Sequence, residues 1–129
     1  MLNDARAFYR ELGMDWRLDL LNEEARHAYK QIIVRLPRAE VPAGRPLKED
    51  EWVAVRWRIS ARDDDDFRNK GERRRHRLLR LLSEADAQNA APRVHDLARA
   101  LGVSPKTIKR DLAALRSQGA VVHTRGSRG

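Results

Sequence analysis

Residues 94–119 read VHDLARALGVSPKTIKRDLAALRSQG, two short amphipathic segments joined by a tight turn. Apolar side chains fall at Leu97, Leu101, Val103 and Ile108, with the small Ala98 between them. This spacing predicts one helix crossing another at a steep angle, with Ala98 permitting close approach. Gly102 is free to take the left-handed backbone that ends the first helix. Ser104 then caps the second helix, and Pro105 stands at its first position, where a missing N–H costs nothing. From there Ile108, Leu112 and Leu115 recur at i, i+4 and i+7 and face inward. Lys106, Thr107, Lys109 and Arg110 are left on the outer side. A helix that buries one face and shows Lys-Thr-x-Lys-Arg near its start has the shape and charge to enter a DNA major groove.

Residues 104–126, SPKTIKRDLAALRSQGAVVHTRG, resemble the winged helix-turn-helix of DeoR-type transcription regulators. The family pattern V-S-x-x-T-I-x-R-D-L-x-x-L-x-x-x-G is met by Val103, Ser104, Thr107, Ile108, Arg110, Asp111, Leu112, Leu115 and Gly119. The resemblance covers roughly residues 72–129. It implies a DNA-binding module whose second helix reads the groove and whose β-wing follows, with Ala120–Thr124 (AVVHT) as first wing strand and RGSRG as tip. A full wing is a hairpin, and the sequence stops at Gly129, at the expected turn, leaving a truncated wing or a basic tail. The sugar-phosphate-sensing domain of longer DeoR-type regulators is not carried over.

The charge distribution agrees. The 129 residues carry a formal net charge of +8. Residues 67–129 hold 15 Lys/Arg against 5 Asp/Glu, whereas residues 1–66 hold 12 against 14. A basic C-terminal half on a near-neutral N-terminal half is the footprint of a polyanion-binding module with an attachment. A membrane surface would require a large apolar face opposite the cations, and here the apolar faces are spent on the core. No apolar run approaches the ~20 residues of a membrane span. The start, MLNDARAFYREL, is too charged for a signal peptide. The absence of cysteine excludes disulfides and thiolate metal sites. These features fit a cytoplasmic protein associated with the nucleoid.

The N-terminal half resembles nothing familiar. Leu2, Ala5, either Phe8 or Tyr9, and Leu12 give a short amphipathic helix ending at Gly13. Ala25, Tyr29, Ile32, Ile33 and Leu36 predict a second helix over 22–36, started by Asn22-Glu23-Glu24 and stopped at Pro37. VPAGRPLKEDE (41–51) is a linker or long loop. Trp52 to Ile59 alternates as a strand, with Val53, Val55, Trp57 and Ile59 on one face. Asp63–Asp66 reads as an exposed acidic turn. GERRRHRLLRLLSEADAQ (71–88) is the first helix of the basic domain, with Leu78, Leu79, Leu82 and Ala85 toward the core, and Asn89–Pro92 is the connection onward. The expected fold is therefore mainly α with small β: an N-terminal α/β extension of two helices and one strand over 1–66, and a winged helix-turn-helix over 67–129.

The candidate DNA contacts are Ser104, Lys106, Thr107, Lys109 and Arg110 on the second helix, Arg93 before the first, Arg125 at the wing tip, and Arg74 and Arg77. Lys106 and Lys109 suit either guanine edges or phosphates, and Thr107 a phosphate or a thymine methyl. The helix start capped by Ser104 suits a phosphate. Arg110 either faces DNA or pairs with an acid. The cluster Arg73, Arg74, Arg75, Arg77 and Arg80 clamps DNA backbone, forms a solvated face, or pairs with Asp63–Asp66. His27, His76, His95 and His123 lack metal-ligand spacing, so neither a metal nor a cofactor is expected. No nucleophile triad, carboxylate pair or Gly-rich phosphate loop points to an enzyme. Trp16, Trp52 and Trp57 are stacking platforms or, better, core or interface anchors. Phe67 is the sole aromatic in residues 67–129, which disfavours single strands.

The sequence thus predicts a double-stranded DNA-binding transcription regulator, dimeric through its N-terminal half because one module makes few contacts. The alternative is a nucleoid-associated or adaptor protein that recruits DNA or a protein partner to a larger complex.

Overall fold

The computed structural model describes residues 30–126, and the expected helix at 2–12 and the first part of that at 22–36 lie outside them. A compact unit begins at Gln31. It opens with strand β1 (Gln31–Pro37) and strand β2 (Trp52–Arg58), followed by helices α1 (Lys70–Ala87), α2 (Val94–Leu101) and α3 (Pro105–Ser117). Short 3-10 turns at Glu49–Glu51 and Arg62–Asp66 lead into β2 and away from it. The described part of the chain is thus mixed α/β, with three helices and a two-stranded antiparallel sheet.

β1 corrects the helix expected through Leu36. Tyr29, Ile32, Ile33 and Leu36 satisfy a helical stripe, yet Ile32, Val34 and Leu36 satisfy strand alternation equally well. The β-branched Ile-Ile-Val run favours the pleated form. The partner strand decides it: Ile32 pairs with Trp57, Val34 with Val55 and Leu36 with Val53 in antiparallel register. Residues 41–51 are the loop of this hairpin, tied by the Arg38 amide donating to the Glu51 carbonyl at 3.0 Å and by a two-pronged Arg45–Glu51 ion pair.

The outer edge of β2 is lined by a polar stripe of α1. Gln88 Oε1 accepts from the Arg56 amide and Gln88 Nε2 donates to the Arg56 carbonyl, both at 2.9 Å. Glu84 Oε1 accepts from the Arg58 amide at 2.8 Å. Arg80 donates to the carbonyls of Arg58 and Ile59. The inner face of β2 joins the core, where the buried Trp57 indole N–H donates to the Leu81 carbonyl at 2.9 Å.

One cluster of buried side chains unites Leu36, Val55 and Trp57 with Leu78, Leu81, Leu97, Ile108, Leu112 and Val122. The core therefore runs across the boundary expected at residues 66 and 67, and the sheet belongs to the same compact unit as the helices. On α1, Leu81 takes the inward place expected for Leu79, which stands 37 % exposed. The segment Asp63–Asp66 is not wholly exposed either, because Asp64 is fully buried against Arg77 and Arg80.

The turn between α2 and α3 forms as its residues dictate. Gly102 ends α2 with φ +67°, and the Val103 amide returns to the Ala98 carbonyl at 3.0 Å. The expected wing strand does not form. Ala120–Thr124 has no strand partner among the described residues, and a strand without a partner leaves its amides unmatched. Val122 and Thr124 instead turn into the core, and the Arg125 amide donates to the Pro92 carbonyl at 2.9 Å.

Candidate nucleic-acid interface

α3 is divided along its length. Ile108, Asp111, Leu112 and Leu115 are buried. Lys106, Lys109 and Arg110 project from the opposite side, exposed, and no carboxylate among the described residues pairs with any of them. Arg110 is thus outward and unpaired, and the neighbouring Asp111 carries the structural ion pair. Ser104 Oγ accepts from the Thr107 amide at 3.2 Å and lies 3.0 Å from Thr107 Oγ1, so the cap is made and Thr107 is half-buried by it. Four of the expected positions, Ser104, Lys106, Lys109 and Arg110, share one exposed region at the start of the helix.

Beside this region lies a cavity of about 510 Å³ bordered by Arg93, His95, Lys109, Arg116 and Arg125. Among the described residues its rim carries no acidic side chain. Among the described arginines and lysines of the rim, Lys109 alone is not engaged with another group. Arg93 pairs with Asp96 at 2.7 Å and lies over the Trp52 ring at 5.3 Å from its centroid. Asp96 also accepts from the Arg93 amide at 2.9 Å, closing the start of α2. Arg116 donates to the Val122 carbonyl at 3.2 Å. Arg125 donates to the carbonyls of Val41 and Pro42, both at 2.7 Å. Arg125 is therefore a clasp between the C-terminal segment and the hairpin loop, a correction to its expected place at a free wing tip. Its positive charge is not neutralised by these carbonyls.

The arginines of α1 are largely engaged. Arg74 makes two hydrogen bonds to Asp111, one at 3.0 Å, and Arg75 stands 3.6 Å from the same carboxylate. Arg77 donates to Asp64 at 2.9 Å, and Arg80 grips Asp64 through both terminal nitrogens. Arg73 donates to the Phe67 carbonyl at 2.9 Å. Of the three readings of this cluster, pairing with the acidic segment holds for Arg77 and Arg80, and pairing with α3 for Arg74 and Arg75. Arg74 and Arg77 thus have their charge engaged by carboxylates, with each side chain still partly exposed.

Burial alone would raise the Asp64 pKa. Hydrogen bonds from Arg80, Arg77 and the Ala61 amide outweigh it and hold the carboxyl at about 2. The Asp111 carboxylate beside Arg74 drives that guanidinium's pKa up. Nothing in the run of four consecutive aspartates marks Asp64 as a buried anchor, since the four look alike. Asp63, Asp64 and His76 also come together, with His76 Nε2 2.6 Å from Asp63 Oδ2 and its ring stacked on Phe67. The Asp64 oxygens in that group are already taken by arginine.

No helix among the described residues is long and apolar enough to cross a membrane. No curated protein and no solved structure matches the chain. A family match does cover residues 11–128. On that match the chain belongs to the family described as protein of unknown function, DUF1670.

Proposed function

We propose that the chain is a double-stranded DNA-binding transcription regulator whose α2–turn–α3 unit is a helix-turn-helix of the DeoR type, with the segment 120–126 in the position of the wing. The observation that carries this reading is the outer face of α3. Lys106, Lys109 and Arg110 stand exposed without carboxylate partners among the described residues, while α1 ties down its own arginines. Evenly solvated charge would leave both helices alike. Instead, cations stand free at the start of the helix that a groove would receive. Lys109 continues this surface into the cavity toward Arg125 and Arg93, which suits the backbone beside the groove. The reading includes a homodimer, which supplies the second half-site, and a place on the nucleoid.

The test is selection from a random double-stranded DNA library with the purified full chain at physiological salt. An enriched motif, palindromic or directly repeated, supports a dimeric regulator and supplies the operator. Salt-sensitive binding without any motif replaces this reading with a nucleoid-associated or adaptor role. No binding at low salt removes both.

A further inference from the structure

The two edges of the sheet are finished differently. On β2, Arg56 and Arg58 turn their backbone groups outward, and side chains of α1 occupy them. On β1, the register turns Ile32, Val34 and Leu36 toward β2 and leaves Gln31, Ile33 and Arg35 facing the other way. Among the described residues, the outward N–H and C=O groups of these three have no hydrogen-bond partner. Their side chains are exposed as well, Ile33 to 71 %. The open stretch is bounded, since the Pro37 carbonyl further along accepts from the Ala91 amide at 2.9 Å. Unpaired strand edges are templates for another strand, and proteins ordinarily blunt them.

We propose that this edge is a homodimer interface, at which β1 of a second copy of this chain adds antiparallel across a two-fold axis to make a continuous four-stranded sheet. The sequence fits one register. With the axis at Ile33, Ile33 faces Ile33 of the partner subunit, and the exposed apolar side chains cover each other. Gln31 then faces Arg35 of the partner subunit, and every free N–H and C=O of the three residues meets its complement. Moving the axis to Arg35 would set two guanidinia directly opposite, which is unfavourable. The assembly is also self-limiting. α1 occupies the β2 edge at Arg56 and Arg58, so the pairing closes at two copies. A twofold built this way joins two identical modules through the sheet and leaves α3 of each uncommitted. Its test requires no DNA, so it stands or falls apart from the DNA-binding reading.

The experiment is sedimentation equilibrium of the full chain, with Ile33→Lys and Ile33→Glu variants. The Ile33 side chain lies in solvent, so both variants should keep the wild-type circular dichroism. The wild type should dimerise, each variant alone should dimerise about tenfold or more weakly, and an equimolar mixture should regain a heterodimer through the Lys–Glu pair. A wild type that is monomeric at micromolar concentration overturns the proposal, as does a dimer indifferent to both changes. The cysteine-free sequence allows a second check. Ile33→Cys should be captured as a covalent dimer by a short bismaleimide, whereas Arg56→Cys, which leaves the β1 edge intact but lies about 14 Å from its copy across the dimer, should not be cross-linked. Equal capture of both overturns the assignment. So does a monomer whose Ile33 amide is protected from hydrogen exchange, because the edge would then be covered from within its own chain.

Discussion

Asp111 of α3 is clamped by Arg74 of α1, which meets both of its carboxylate oxygens. The aspartate is buried and its partners are only partly so, which makes the pair an anchor for the angle of α3 on α1. Asp111→Ala would leave Arg74 and Arg75 without an acid in a partly buried position. The expected loss is about 2–4 kcal/mol of unfolding free energy in urea. Replacing both partners by apolar residues, Arg74→Met with Asp111→Leu, should cost clearly less than the sum of the single changes.

Lys106→Ala and Lys109→Ala should leave stability within about 0.5 kcal/mol of wild type, since both side chains are exposed and unpaired. On DNA each should lose about 1–3 kcal/mol on the preferred sequence alone if it reads a base. An equal loss on all sequences, with the salt slope reduced by about one, would mark a phosphate contact instead. Arg74→Ala should behave in the opposite way, lowering stability while leaving the salt slope of the remaining folded protein unchanged.

The Asp64 carboxyl makes stability depend on acid. Its folded pKa, about 2, lies below the ordinary aspartate value near 3.9. A depressed carboxylate contributes its stabilisation in full above the unfolded pKa and loses it as pH falls through the folded one. About 2 kcal/mol should therefore disappear between roughly pH 4 and pH 2. Urea midpoints across that range should fall for wild type, and Asp64→Asn should flatten this part of the fall at a lower starting stability.

Gly102→Val should be costly because φ +67° is a left-handed conformation that a β-branched residue resists. No side-chain or backbone atom crowds the position, so the cost is conformational. Thermal unfolding should show a loss of at least about 1–2 kcal/mol, with Gly102→Asn milder.

Trp57→Ala tests the shared core. It deletes a fully buried indole and its bond to Leu81, so about 3–5 kcal/mol should be lost. The loss should appear in the helical signal at 222 nm as well as in the sheet, in one cooperative transition.

The α2–turn–α3 unit was legible because each of its signals is local. Ser104, Pro105, Gly102 and the Ile108–Leu112–Leu115 stripe specify caps, turn and face within a few residues of one another. β1 was not, because Ile32, Ile33 and Leu36 fit two periodicities and only the distant Val55 and Trp57 choose between them. The same holds for the arginines. Nothing near Arg74 in sequence announces Asp111, and nothing in a run of four aspartates singles out Asp64. The wing failed for a related reason: AVVHT has strand composition but no strand beside it. Arg125 looked like a free tip because its acceptors, the Val41 and Pro42 carbonyls, are backbone atoms that composition does not reveal.

The stripe Arg80, Glu84 and Gln88 makes α1 a strand surrogate. Four helical residues rise about 6.0 Å and two strand residues about 6.6 Å. Glu84 and Gln88 therefore keep step with Arg58 and Arg56, running antiparallel to them. The slippage accumulates rung by rung, and α1 ends at Ala87 before Ala54 is reached. A helix can thus impersonate a neighbouring strand only over a short stretch. The seal is confined to the Arg56–Arg58 end of β2, and lengthening the hairpin at its loop end by two residues per strand would extend the margin, beginning at Ala54, that α1 has no side chain left to seal.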